Sequence, residues 1–252
     1  MRVSAILITK NAAGTLRRCL ESLQWTDEII VVDSGSSDET VAIARELGAQ
    51  VHVTSDWPGY GPQKNRALER ASGDWVFSID ADEWMTPEAR REIQARIGAP
   101  DACPAYAMPR RSSFCGRIMS HSGWWPDYVV RLFRRGSARF SDDLAHERLL
   151  VDGAVGKLKE PLMHEAIVDL DQMLGKMNAY STASALMLAR RGKRATLAGA
   201  ILHGWWAFMR TYFLRLGVLD GREGFMLAVA NAEGSYYRYV KLMLLADEKT
   251  PQ

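Results

Sequence analysis

Four short apolar runs, each closing on polar side chains, constrain this chain more than any other feature. They are VSAILIT (3–9), EIIVVD (28–33), AQVHV (49–53) and WVFSID (75–80). Helix-period segments separate them. Leu16, Cys19, Leu20 and Leu23 recur at i, i+3, i+4 and i+7, which is one face of a helix. In the second segment Ser36 and Glu39 have capping-box spacing, Val41, Ala44 and Leu47 supply an apolar face, and Gly48 stands where a helix-ending glycine belongs. A third helix is expected over residues 63–71. Strands alternating with helices predict a doubly wound, mainly parallel sheet with helices on both faces. Runs with no polar alternation fit a sheet covered on both sides. Ligands of such sheets bind at the carboxyl ends of the strands. Here those ends carry Thr9 to Asn11, Asp33, Asp56 and the cluster Asp80, Asp82 and Glu83.

The chemistry that edge can support is narrow. No GxGxxG follows the first strand and no GxxxxGK[ST] occurs, so dinucleotide and Walker-type phosphate loops are excluded. Asp33 suits the hydroxyls or N–H groups of a nucleoside. Asp80 and Asp82 suit a hard divalent cation that also holds substrate phosphates, and Lys64 can add positive charge to a diphosphate. Together they describe a nucleoside-diphosphate site assisted by Mg²⁺ or Mn²⁺. A net charge of +2 gives no reason to expect nucleic acid as a partner. Three scattered cysteines read as reduced thiols of a cytoplasmic protein. The first residues read as a strand rather than a signal peptide, and the most apolar later stretch, 197–209, is shorter than the roughly 20 residues that cross a bilayer.

SAILITKN, EIIVVDSGSSDET, GYGPQKNRALERASGDW and FSIDADE, in that order, resemble the nucleotide-sugar-dependent glycosyltransferases of family 2, with the GT-A fold. GWWPDYVVRLFRRGSARFSDDLAHE, LMHE and YFLRLGVLDGREGF extend the resemblance to bacterial glycosyltransferases of lipopolysaccharide core assembly, among them β-1,4-glucosyltransferases. The resemblance implies inverting transfer of one sugar, with glucose expected, from a UDP-sugar to a lipopolysaccharide core or other lipid-linked saccharide. The processive QxxRW signature is missing. The same resemblance implies the roles. Asp33 would hold uracil or ribose, and Thr9 and Asn11 would line the base pocket. Asp80 would face the ribose or the metal's water shell, and Asp82 would ligate the metal. His164 is either a further ligand or a structural histidine, and Glu83 either touches substrate or caps the following turn. Glu147 is the first candidate for the base and Asp127 the second, with His146 either orienting the base or playing no part. Read from the residues alone, the adjacent Trp124 and Trp125 are either core packing or, since neighbours in a strand cannot both face one way, one packs and the other lines the acceptor cleft.

Three regions are expected: a nucleotide-sugar half over 1–100, an acceptor and catalytic half over 101–170, and a helical region over 171–252. In the last, Trp205, Phe208, Met209, Tyr212, Phe213 and Leu216 form one helical stripe, and Phe225, Val229, Ala232, Tyr236, Val240 and Met243 a second. These are either a packed helical pair or a surface lying on the inner face of the cytoplasmic membrane, preceded by the basic residues Lys176, Arg190, Arg191, Lys193 and Arg194. The competing functional classes are a metal-dependent phosphohydrolase or nucleotidyltransferase and a non-catalytic nucleotide-sugar-binding module.

Overall fold

The computed structural model describes residues 1–142 and 148–247. In chain order its elements are β1 (Val3–Thr9), α1 (Ala13–Ser22), β2 (Glu28–Asp33), α2 (Thr40–Glu46), β3 (Gln50–Val53), α3 (Tyr60–Leu68), β4 (Trp75–Ser78), β5 (Glu83–Met85) and α4 (Pro87–Ile97). There follow β6 (Ala105–Phe114), β7 (Arg117–Ile118), β8 (Asp127–Arg134), β9 (Ala138–Phe140), β10 (Leu149–Val151), β11 (Val155–Lys157), β12 (Leu162–Ile167), α5 (Leu170–Arg190), α6 (Leu197–Met209) and α7 (Gly221–Asp247). They fall into two compact units, Met1–Arg110 with Asp127–His164 and Arg111–Pro126 with Glu165–Gln252. The division expected at residues 100 and 170 therefore moves, because 111–126 is grouped with the C-terminal helices.

In the first unit the strand order β3-β2-β1-β4 is parallel, and β8, antiparallel to β4, follows. Each central strand is buried on both sides, and its alternating residues sort into two cores. Ala5, Leu7, Val31, Trp75 and Phe77 pack with Leu16 and Leu20 of α1, Ala44 of α2 and Ile93 of α4. Ile6, Ile30, Val32 and Val76 pack with Ala67 of α3 and with Phe133 and Phe140. A period of two on the strands thus clothes both faces of the sheet. All carboxyl ends of the parallel strands then lie on one edge. The register Thr9↔Asp33↔Val53 sets the first three ends level.

The Ser36–Glu39 capping box does not form. α2 begins at Thr40 with no side-chain cap bond, because the Ser36 hydroxyl donates to Asp33 instead (2.6 Å). α3 also starts three residues earlier than expected, at Tyr60.

In the second unit α6 and α7 meet closely. A Cβ on Gly204 would stand 3.1 Å from the Ala232 carbonyl oxygen. A π-helical turn, Arg210–Leu214, follows α6, and Leu216 adopts φ 55°. The buried line of α6 is Ala200, Gly204 and Ala207, so Trp205 of the expected stripe is exposed, while Phe208, Tyr212 and Phe213 stay in ring contact with one another. On α7 the buried line is Glu223, Gly224, Leu227 and Ala228, while Phe225 of the expected stripe is exposed. Gly224 is there for space, since a Cβ would fall 1.9 Å from the Gly217 carbonyl oxygen. Asp220, buried just before α7, accepts from the Ser120 and His121 amides (both 3.1 Å) and the Ser122 hydroxyl (2.8 Å). Among the described residues no helix is long and apolar enough to cross a membrane.

Candidate active site

The loops after β1 and β2 are knitted into one polar surface. Asp33, the last residue of β2, is fully buried. Its carboxylate accepts from the Thr9 hydroxyl (2.8 Å), the Gly35 and Ser36 amides (3.0 and 2.8 Å) and the Ser36 hydroxyl (2.6 Å). Those four donors fill about the four acceptor positions a carboxylate has. Asp33 is therefore an organiser of the 34–38 loop. Asn11, at φ 50°, accepts from the Ser37 amide (2.9 Å) and donates its own backbone N–H to Ser36 (2.8 Å). The Ala12 amide donates to Thr40 (2.8 Å) and the Ala13 amide to Asp38 (3.1 Å). Buried Gln63 of α3 binds the Ser34 and Thr54 hydroxyls (3.0 and 2.8 Å), which joins the ends of β2 and β3.

Beyond β4 the carboxylate cluster meets a matching set of cations. Lys64 Nζ stands 3.0 Å from Asp80 Oδ1. Arg131, buried in the middle of β8, reaches both Asp80 Oδ2 and Glu83 Oε1 at 2.5 Å. Glu83 is fully buried and also accepts from the Asp80 amide (3.0 Å), with Arg110 NH1 at 3.6 Å. Burial pushes the Asp80 carboxyl up, but the Arg131 and Lys64 charges outweigh it and hold it well below the usual carboxylate range. Glu83 lies deeper, shares Arg131 with Asp80, and is raised by burial. Burial works against the Arg131 charge, yet its two carboxylates raise its affinity for the proton further. Burial, with these acids nearby, also drives the Cys19 thiol well up, so it is a neutral core group.

Asp82 stands apart from this balance. Its Oδ2 is 3.6 Å from His164 Nε2, because β12 pairs antiparallel with β5 and sets His164 opposite Glu83. Among the described residues no group of three or more His, Cys, Asp and Glu side chains gathers for a metal. One carboxylate and one imidazole nonetheless fit a Mg²⁺ or Mn²⁺ site completed by phosphates and water. Two neighbouring ligands of an octahedral ion at about 2.1 Å stand about 3.0 Å apart, close to the separation seen here.

The remaining expected residues are spread across both units. In the first, Asp127 opens β8, with Arg110 Nε and NH2 at 3.0 and 2.6 Å from its Oδ2. In the second, Trp124 packs edge-on against Phe114, and the Arg111 guanidinium lies over the Trp125 ring (5.1 Å). Glu147 and His146 lie outside the described residues. Their segment follows β9 and precedes β10, a hairpin held to α3 by two bonds between Asn65 and the backbone of Phe140, both 2.9 Å. Arg131, Arg110, Gln63 and Asn65 were not singled out from the sequence. Arg131 had a signal, a lone charge within the apolar run VVRLF.

A family model described as Glycosyl transferase family 2 matches residues 4–155. A curated relative, the lipopolysaccharide core biosynthesis glycosyltransferase LpsC of Rhizobium meliloti, is 31% identical over 256 residues, spanning 95% of this chain and 91% of its own. The chain belongs to glycosyltransferase family 2. An uncharacterised glycosyltransferase of Rickettsia conorii is also 30% identical over 96% of this chain and 89% of its own. Among solved structures, S. aureus TarS 1–349 superposes with a TM-score of 0.53 at 16% identity, covering 99% of this chain and 92% of that one. At that identity the likeness speaks for the fold alone, and the fold it supports is the GT-A type. As a family 2 glycosyltransferase the protein is an enzyme of glycosyl transfer, which sets aside the phosphohydrolase, nucleotidyltransferase and binding-module alternatives.

Proposed function

We propose that this enzyme transfers one sugar, with inversion, from a UDP-sugar to a lipopolysaccharide core or other lipid-linked saccharide, with a divalent cation assisting. The observation that carries the reading is the carboxyl edge of β1, β2 and β4, where an ordered polar loop and a charge cluster with Asp82 to spare lie on one rim. LpsC is named for lipopolysaccharide core biosynthesis, and TarS has been solved with UDP and with UDP-GlcNAc. Both fit the donor and acceptor classes. Glucose is the donor sugar to test first.

On this reading Asp33 acts through its loop. It presents Asn11 and the 34–38 backbone to the base and ribose rather than binding them with its own saturated carboxylate. Lys64 and Arg131 keep Asp80 ionised and fixed beside the diphosphate. Asp82 and His164 would hold Mg²⁺ or Mn²⁺, which when bound neutralises charge on the departing diphosphate. Inversion needs a base that takes the acceptor hydroxyl's proton on the side opposite the leaving group. Glu147 is the first choice. Asp127 is disfavoured because its Oδ2 is already engaged by Arg110 Nε and NH2. The exposed aromatic residues of α6 support a peripheral position on the inner face of the cytoplasmic membrane, where a lipid-linked acceptor is found, with Trp124 or Trp125 meeting its sugars.

The test is single-turnover transfer from UDP-glucose to deacylated lipopolysaccharide core. Glu147→Gln should lose about 10²–10⁴ in rate while binding UDP normally, and Asp127→Asn should lose far less. Normal transfer by Glu147→Gln, with Asp127→Asn inactive, would hand the base to Asp127. UDP-glucose hydrolysis that acceptor does not stimulate would contradict the transfer reading itself.

A further inference from the structure

We propose that a cavity within the helical unit binds the phosphate headgroup of an anionic phospholipid. The cavity is about 550 Å³, a size typical of small-molecule sites. Four cations line it, Lys176, Arg210, Arg215 and Arg238, and no carboxylate does. Among the described residues none of the three arginines is paired with an acid. Arg238 Nε is buried with no hydrogen-bond partner among the described residues, although the guanidinium lies over the Tyr239 ring at 4.9 Å. Arg215 is accommodated by a glycine, since a Cβ on Gly123 would fall 2.5 Å from its NH1.

Positive charges gathered around one cavity without counter-charge repel one another, and an anion relieves that repulsion. Guanidinium groups fit phosphate oxygens in paired geometry. The lining also includes the apolar side chains of Phe114, Trp124 and Met173, and this favours a phosphate carrying hydrocarbon over the free ion. The helix that immediately precedes Arg210, α6, exposes Leu202, Trp205 and Trp206, at 64%, 59% and 49%. Aromatic bulk beside arginine is what a bilayer interface accepts. The site lies wholly in the second unit and does not depend on the reading of the nucleotide edge.

The test is calorimetric titration of the full chain with dihexanoyl phosphatidic acid below its micellar concentration, beside dihexanoyl phosphatidylcholine and inorganic phosphate. Phosphatidic acid is expected to bind at least ten-fold more tightly than either comparator. Arg238→Gln and Arg210→Gln should each weaken it by about ten-fold and leave UDP affinity unchanged. Arg210 is exposed, so its variant carries little risk to the fold. Equal binding of inorganic phosphate would reduce the site to a small-anion pocket and overturn the proposal. So would equal binding of phosphatidylcholine, no binding of phosphatidic acid to the wild type, or full affinity in the double variant.

Discussion

Replacing Arg131 with Met should damage this protein more than most single changes can. The side chain is 8% exposed and holds two carboxylates, one of which, Glu83, is fully buried. Met fills much of the same space but, among the described residues, leaves Glu83 with the Asp80 amide and a guanidinium nitrogen of Arg110 at 3.6 Å. Breaking a buried pair by removing one partner costs about 3–5 kcal/mol, because the other charge stays behind unpaired. For a chain of this size, about 2–4 °C per kcal/mol gives a fall in Tm of roughly 6–20 °C. The assay is thermal and urea unfolding of wild type, Arg131→Met, Glu83→Gln and the double variant. If the cost is the stranded charge, Glu83→Gln on the Arg131→Met background should restore much of the loss, a coupling of about 1 kcal/mol or more. A loss under 1 kcal/mol in Arg131→Met, or strict additivity in the cycle, would refute the reasoning.

Other outcomes follow from neighbouring contacts. Asp33→Ala removes four accepted hydrogen bonds at a fully buried site, so it should cost about 3 kcal/mol or more of stability and weaken UDP binding. A stable variant with weakened UDP affinity would instead make Asp33 a direct ligand. Asn65→Ala cuts both bonds to Phe140; single-turnover transfer should fall while calorimetric UDP affinity holds. Burial pushes the Glu28 carboxyl up, but bonds from Ser4 and Ser72 outweigh it and set it below the usual range. Its stabilisation is therefore present above the ordinary carboxylate pKa of about 4.3 and lost as pH falls through the lower folded value. Urea midpoints of Glu28→Gln and wild type should differ at pH 7 and converge toward pH 3.

The parallel half of the fold was legible because its signals are local. In β1, β2 and β4 apolar runs with no polar alternation specified doubly covered strands, whereas the edge strand β3 is left largely uncovered, and the polar residues closing the runs marked the edge. Gly48 ended α2 as its position suggested, at φ 79°. What stayed hidden is long-range. Arg131 pairs with Asp80 and Glu83 across some fifty positions, a distance at which no sequence period operates. Ser36 looked like a cap because a cap needs only spacing, but a buried Asp33 three residues earlier was the stronger acceptor. The aromatic stripe misplaced the buried face of α6 because the close approach to α7 is made by small residues, Ala200, Gly204 and Ala207, and Trp205 is left exposed. His164 was a lone histidine in sequence, and only the β5–β12 register brings it beside Asp82.

Calorimetric titration of UDP into wild type and Asp82→Asn, each with and without Mn²⁺, tests the nucleotide-sugar edge most directly. The wild type should bind UDP, and Mn²⁺ should tighten that binding by ten-fold or more, while Asp82→Asn keeps the metal-free affinity and loses the enhancement. The same Mn²⁺ enhancement in both proteins, or no UDP binding by the wild type, would contradict the assignment of this edge.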